Sequence, residues 1–159
     1  QPTKEASGMD LAQRIARLEA IEAIKKLKAT YAEACDDAYN PEKMFHLFTQ
    51  DAVWEEKTTF GKFEGREAIC EFFRGVSAPI SFALHYTDAP LIEVADDLRT
   101  ATSDWYIFMP ATIDGGPMWL MATYNDRYAV EDGVWKMAHV KVNIERLVPY
   151  ADGWAREGA

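Results

Sequence analysis

Two hydrophobic periods divide this chain. Apolar residues recur at steps of three and four from Leu11 to Cys35, then at steps of two through most of the chain beyond residue 80. A period near 3.6 buries one stripe of a helix, and a period of two buries one face of a strand. Helices therefore come first and a mostly antiparallel sheet follows, an α+β arrangement. The first helix carries Leu11, Ile15, Leu18, Ile21, Ile24, Leu27, Tyr31 and Cys35 on its stripe, with Asp10 as N-cap and room for a bend near Glu19–Glu22. Asn40-Pro41 stops it and opens a short second helix through Met44, Phe45, Leu47 and Phe48. DAVWEE and KTTFGKF read as a strand pair. Gly65 then precedes a third helix, REAICEFFRGV, with Ile69, Phe72 and Phe73 inward. Four strand runs complete the chain at 81–95, 99–110, 118–130 and 134–148, separated by turn-forming residues.

A length of 159 residues suits one core. The expected organisation is a single domain over 10–148, a flexible N-terminus over 1–9 and a tail over 149–159. A net charge of −9 argues against nucleic acid and anionic membranes as partners, because their phosphates attract basic surfaces. No apolar run approaches the ~18 residues of a membrane span, and no signal peptide is visible. Cys35 and Cys70 lie in helical patterns and read as buried thiols in a reducing cytoplasm.

The strand faces bear on assembly. In 99–110, Ser103, Trp105, Ile107 and Met109 share one face, and Thr102, Asp104, Tyr106 and Phe108 the other. In 118–126, Leu120, Ala122 and Tyr124 oppose Trp119, Met121 and Thr123. Only one face can meet the helices. The apolar character of the other predicts burial in a homodimer or homotrimer.

Three polar residues stand in apolar surroundings: Tyr31, Asp36 and His85. A carboxylate and an imidazole move protons near neutral pH, and a phenol holds a substrate oxygen. Asp36 and Asp37 are adjacent, so one faces inward and one outward. Tyr31 and Asp36 are five residues apart, about 140° on an ideal helix, so they share a pocket only if the helix unwinds near its end. His139 and Lys141 belong to the outer face by strand parity, as does Asp104. His46 has no partner at metal spacing, and GKFEG lacks the Lys-Ser/Thr of a phosphate loop. No cofactor and no metal are expected.

The order of helix, YxxxxD, DAVWE, Gly-led helix, apolar strand with His and terminal DGVWK strand resembles the SnoaL-like branch of the nuclear transport factor 2-like superfamily, over roughly 10–148. The resemblance implies a cone-shaped α+β barrel, a curved sheet wrapped around the helices with a deep pocket. It implies that Asp36 rather than Asp37 faces inward, and that Tyr31, Asp36 and His85 are catalytic. They match positions used by bile-acid 7α-dehydratase and resemble the scytalone dehydratase set. Asp36 and His85 also match hexachlorocyclohexane dehydrochlorinase, whose two cations are replaced here by Tyr31 and Val140. The same resemblance places Trp54, Trp105 and Tyr124 around a small apolar or aromatic substrate, with Phe72, Leu120, Ala122, Val140 and Val142 completing an apolar wall.

The implied activity is that of a cofactor-independent lyase of the dehydratase type, acting on a bulky oxygenated aromatic or polycyclic molecule. Carbon–carbon cleavage releasing formaldehyde from a lignin-derived diarylpropane and isomerisation start with the same proton transfer. A non-catalytic binding or assembly module is the reading of another class, because the superfamily includes such members.

Overall fold

The computed structural model describes residues 9–155, so the expected flexible N-terminus, Met9 excepted, and the end of the tail lie outside the described residues. Helix α1 (Leu11–Asp36) is unbroken, with no interruption at Glu19–Glu22. Asp10 accepts from Gln13 N while the Gln13 side chain accepts from Asp10 N, a reciprocal cap on otherwise unpaired amides. Helix α2 (Pro41–Phe45) is capped by Asn40, and α3 (Arg66–Val76) follows Gly65, whose φ of +91° suits a residue without Cβ. Leu47 lies beyond α2, and Phe48 opens the first strand instead of continuing the helix.

The strands are β1 (Phe48–Glu56), β2 (Gly61–Glu64), β3 (Ile80–Ala83), β4 (Tyr86–Val94), β5 (Thr100–Ile113), β6 (Gly116–Glu131) and β7 (Val134–Pro149). They form one sheet in the order β2-β1-β7-β6-β5-β3, with β4 also on β5. All pairings are antiparallel except β1 with β7. The helices fill the inner face, and the core includes Ile24, Tyr31, Phe48, Phe73, Trp105, Tyr128 and Val140. Cys35 and Cys70 are buried free thiols. Among the described residues no helix is long and apolar enough to cross a membrane.

Two further expectations need correction. The stripe of α1 is not buried along its whole length: Leu11 and Leu18 are 69% and 63% exposed, and burial begins at Ala20. The run 81–95 is not one strand but two, interrupted at Leu84-His85. Leu84 N donates to Pro110 O (3.2 Å), but Pro110 has no N–H with which to complete the pair. The N–H of the next residue, His85, points away from β5 and is free to bond elsewhere.

The outer face carries the apolar residues expected from strand parity. Tyr86, Tyr106 and Phe108 are exposed, and Phe108 stacks on Trp119 at 5.2 Å between ring centres. In the tail, Tyr150 and Trp154 lie against the same Trp119.

Candidate active site

The break in the edge strand sets His85 against the C-terminus of α1. Asp36, the last helical residue, reaches it with a single oxygen: Oδ1 accepts from His85 N at 2.9 Å and from Nδ1 at 2.7 Å. A carboxylate oxygen can only accept, so Nδ1 carries the proton and Nε2 of the neutral ring offers its lone pair. The His85 side chain is 6% exposed. Asp37 faces outward, bonded to Asn40 Nδ2 (2.9 Å) and Lys43 Nζ (3.2 Å). These hydrogen bonds and the lysine charge hold its carboxyl below the usual range.

His85 opens on a cavity of about 70 Å³ between α1, α3 and the sheet. Its lining includes Tyr31, Cys35, Tyr39, Phe73 and Met109, together with Trp54, Phe60, Phe72, Leu120, Tyr124 and Leu147. Among the described residues no Asp, Glu, Lys or Arg lines it. Of the eight residues expected around the substrate from the sequence, Trp54, Phe72, Leu120, Tyr124 and Val142 face this space. Trp105, Ala122 and Val140 are not among its lining residues. The Trp105 indole is drawn away by Ser103 Oγ (2.7 Å), and Val140 is wholly buried opposite Trp54 in the β1–β7 pairing.

Tyr31 is placed differently from the triplet expected in the sequence. Helix α1 stays wound to Asp36, so the unwinding that would let Tyr31 and Asp36 share a pocket is absent. The Tyr31 hydroxyl accepts from Trp54 Nε1 at 3.0 Å instead of joining the dyad, and burial pushes its ionisation well up. Tyr31 and His85 line one cavity, while Asp36 stands behind the imidazole.

Two features near the site went unread in the sequence. The first is Tyr39, just past α1, whose hydroxyl is 3.5 Å from His85 Nε2. The second is a wholly buried ion pair, Lys28 Nζ to Asp126 Oδ2 at 2.7 Å. Asp126 Oδ2 also accepts from Tyr128 OH (3.1 Å), which bonds to Ser103 Oγ (2.8 Å). Lys28 Nζ lies 3.2 Å from the ring centre of Tyr124 and 5.0 Å from that of Tyr31, both on the cavity wall. Burial lowers the Lys28 pKa and raises that of Asp126, each opposed by the partner's charge. A signal for the pair existed: Ile24, Lys28, Tyr31 and Cys35 follow steps of four, three and four, which puts a lysine on the buried stripe.

His139 bridges Glu55 (3.1 Å) and Arg127 (2.6 Å), and Asp104 pairs with Asn125 (2.6 Å), all in outer-face positions as parity requires. Among the described residues no group of three His, Cys, Asp or Glu converges as a metal site would.

Comparison with known proteins agrees with this architecture. The SnoaL-like domain family matches residues 16–141. No curated protein matches the chain in sequence. Among solved structures, a hexachlorocyclohexane dehydrochlorinase of type 2 is similar at a TM-score of 0.79 and 20% identity, over 92% of this chain and 99% of that one. A protein provisionally assigned as an aromatic ring hydroxylase from Novosphingobium aromaticivorans is similar at 0.76 and 24%, over 85% and 96% of the two chains. One provisionally assigned as a scytalone dehydratase from the same organism is similar at 0.76 and 20%, over 86% and 91%. At these identities the likeness is one of fold: helices at the N-terminus and a curled sheet closing around them as a cone. The chain belongs to the SnoaL-like domain family.

Proposed function

We propose that this protein is a cofactor-independent lyase that eliminates water from a neutral, apolar, oxygenated molecule. The observation that carries the reading is a carboxylate-oriented imidazole opening on a cavity without a formally charged wall residue. His85 Nε2 takes a proton from a carbon next to a carbonyl or aryl group. The C–H electron pair becomes the new double bond as the adjacent C–O bond breaks. The departing oxygen then takes the proton from Nε2 and leaves as water, so no oxidant or reductant is required. Asp36 stabilises the imidazolium between the two transfers. The names of two structural neighbours, a dehydrochlorinase and a provisional scytalone dehydratase, support elimination as the reaction class.

The walls select an uncharged substrate, since an ionised group would enter unpaired. The size expectation needs adjustment. A cavity of about 70 Å³ is half the roughly 150 Å³ that admits benzene in a protein core. Even one ring therefore enters only as the wall parts, and the side chains of Phe60, Phe63 and Phe72, which pack on one another, are the ones to move. A rigid polycyclic substrate demands more displacement than a single planar ring. The outer sheet face, with Tyr86, Tyr106 and Phe108 exposed, is the proposed contact between copies in a homodimer or homotrimer.

The test is a cofactor-free absorbance screen of wild type and His85→Gln against β-hydroxy ketones, benzylic alcohols and diarylpropane diols. New conjugation with wild type alone, with water as the co-product, supports the proposal. Release of formaldehyde assigns the same dyad to carbon–carbon cleavage. A shifted double bond with nothing released makes the protein an isomerase. Compounds that raise the melting temperature of both proteins without turnover make it a binding module.

A further inference from the structure

We infer that Tyr39 is a catalytic residue of this site, its hydroxyl holding the substrate oxygen that His85 Nε2 protonates. The inference rests on the lyase reading above and adds a residue to it. Nδ1 of His85 is taken by Asp36, so proton transfer to and from substrate falls to Nε2. The phenol that meets Nε2 is Tyr39, at 3.5 Å, and not Tyr31, whose oxygen bonds to Trp54.

The hydroxyl of Tyr39 is under-used in the free protein. Its other polar neighbour is Met109 Sδ at 4.0 Å, a weak acceptor, and its 3.5 Å contact with Nε2 is long for a hydrogen bond. Long contacts of this kind in a free site tighten when substrate arrives. An atom about 2.8 Å from both Tyr39 OH and Nε2 sits at the apex of a triangle on that base, where both distances suit hydrogen bonds. A departing oxygen there receives a hydrogen bond from Tyr39 and the proton from Nε2. Burial raises the Tyr39 pKa, so the phenol keeps its own proton throughout. The balance is unchanged: the proton taken from carbon returns on oxygen, and the C–O bond breaks to give water.

The backbone supports the assignment. Ala38 and Tyr39 have φ of +51° and +55°, the left-handed region that side chains with a Cβ rarely adopt. This pair turns the chain back after α1, with Tyr39 N donating to Cys35 O at 3.0 Å and Asn40 N to Ala34 O at 3.0 Å. An unstrained exit would use glycine. Here the turn returns an aromatic side chain to the cavity, where it stacks on Phe73 (5.9 Å, 10°) and meets the imidazole edge-on (5.6 Å, 84°). Strain of this kind concentrates at functional positions.

The experiment compares wild type, Tyr39→Phe and Asp36→Asn by imidazole nitrogen NMR and by turnover of whichever compound the screen identifies. Phenylalanine keeps the stacking on Phe73 and removes only the oxygen. The expected result is a shifted His85 Nε2 resonance in Tyr39→Phe, a kcat lowered by about 10²-fold with KM changed less than threefold, and an unchanged melting temperature. Full kcat in Tyr39→Phe while Asp36→Asn is inactive overturns this inference and leaves the lyase reading standing. An unshifted Nε2 resonance overturns it as well, whatever the activity. Failure of wild type to turn over any compound overturns both readings together.

Discussion

Asp36 Oδ1 accepts both N–H groups of His85, the main-chain amide at 2.9 Å and ring Nδ1 at 2.7 Å. One oxygen therefore fixes where the residue sits and which ring nitrogen carries the proton. Asp36→Asn keeps the shape but offers either a neutral carbonyl or an NH₂ group in place of the charge. Turnover is expected to fall about 10²–10⁴-fold, with far-UV circular dichroism unchanged. A variant retaining full activity would remove the dyad from the mechanism.

Lys28 and Asp126 neutralise each other with both side chains wholly buried. Removing one leaves the other charged in the core. Lys28→Met is expected to cost about 3–5 kcal/mol, and Lys28→Met with Asp126→Leu to recover much of it, as measured by urea denaturation. If the double variant is no better than the single, the charge pair is not the source of the loss.

Glu56 ties down the loop that brings Phe60 to the cavity. Its carboxylate accepts from Thr58 N (2.8 Å), Thr58 Oγ1 (2.6 Å), Thr59 N (2.7 Å) and Phe60 N (3.1 Å). Burial pushes its pKa up, but these hydrogen bonds outweigh burial and hold it below the usual carboxylate range. Because the folded pKa is the lower one, the contribution is complete above the unfolded value near 4.3. It is lost as pH falls through the folded value. Glu56→Gln is expected to cost about 1–3 kcal/mol at pH 7, with the gap to wild type narrowing in acid. A gap that stays constant from neutral pH to pH 3 would show that the charge is immaterial.

Phe72 closes the cavity by stacking on Phe63 at 4.2 Å and lying 4.8 Å from Trp54. Phe72→Ala is expected to destabilise by about 3 kcal/mol and to extend turnover or binding to larger ring systems. Calorimetry and a ligand series of graded size test it. An unchanged size limit would place the restriction elsewhere.

The outer face supplies a test of assembly. Tyr106 is 65% exposed on this apolar sheet. Tyr106→Lys is expected to reduce the molar mass by light scattering to that of one chain, with the domain still folded. A monomeric wild type would assign that face another role.

Much of this fold is legible because its periods are long. The 3.6-residue pattern locates α1, and strand parity places Asp104 and His139 outside. What periodicity misses depends on neighbours in space. The break at Leu84-His85 arises from Pro110, 25 residues later, and no local pattern around His85 announces it. Tyr39 follows the helix end in an ordinary sequence, and only the φ values of the turn direct it inward. Asp36 and His85 each stand out as polar residues in apolar surroundings, but the resemblance is what joins them, since neither spacing nor composition pairs residues 49 positions apart. Trp105 was placed on the pocket by the same resemblance, yet Ser103 and Tyr128 hold it in the core.

That separation of 49 residues also sets when the site can exist. The carboxylate is carried by a helix that can form locally, whereas the imidazole is held beside an edge strand that pairs with β5. Pairings distant in sequence form late, because chain entropy must be lost before they contribute. During refolding, helical signal should therefore return before the dyad does. His85 thus doubles as a reporter of completed tertiary structure, and a chain can regain most of its ellipticity while still chemically silent.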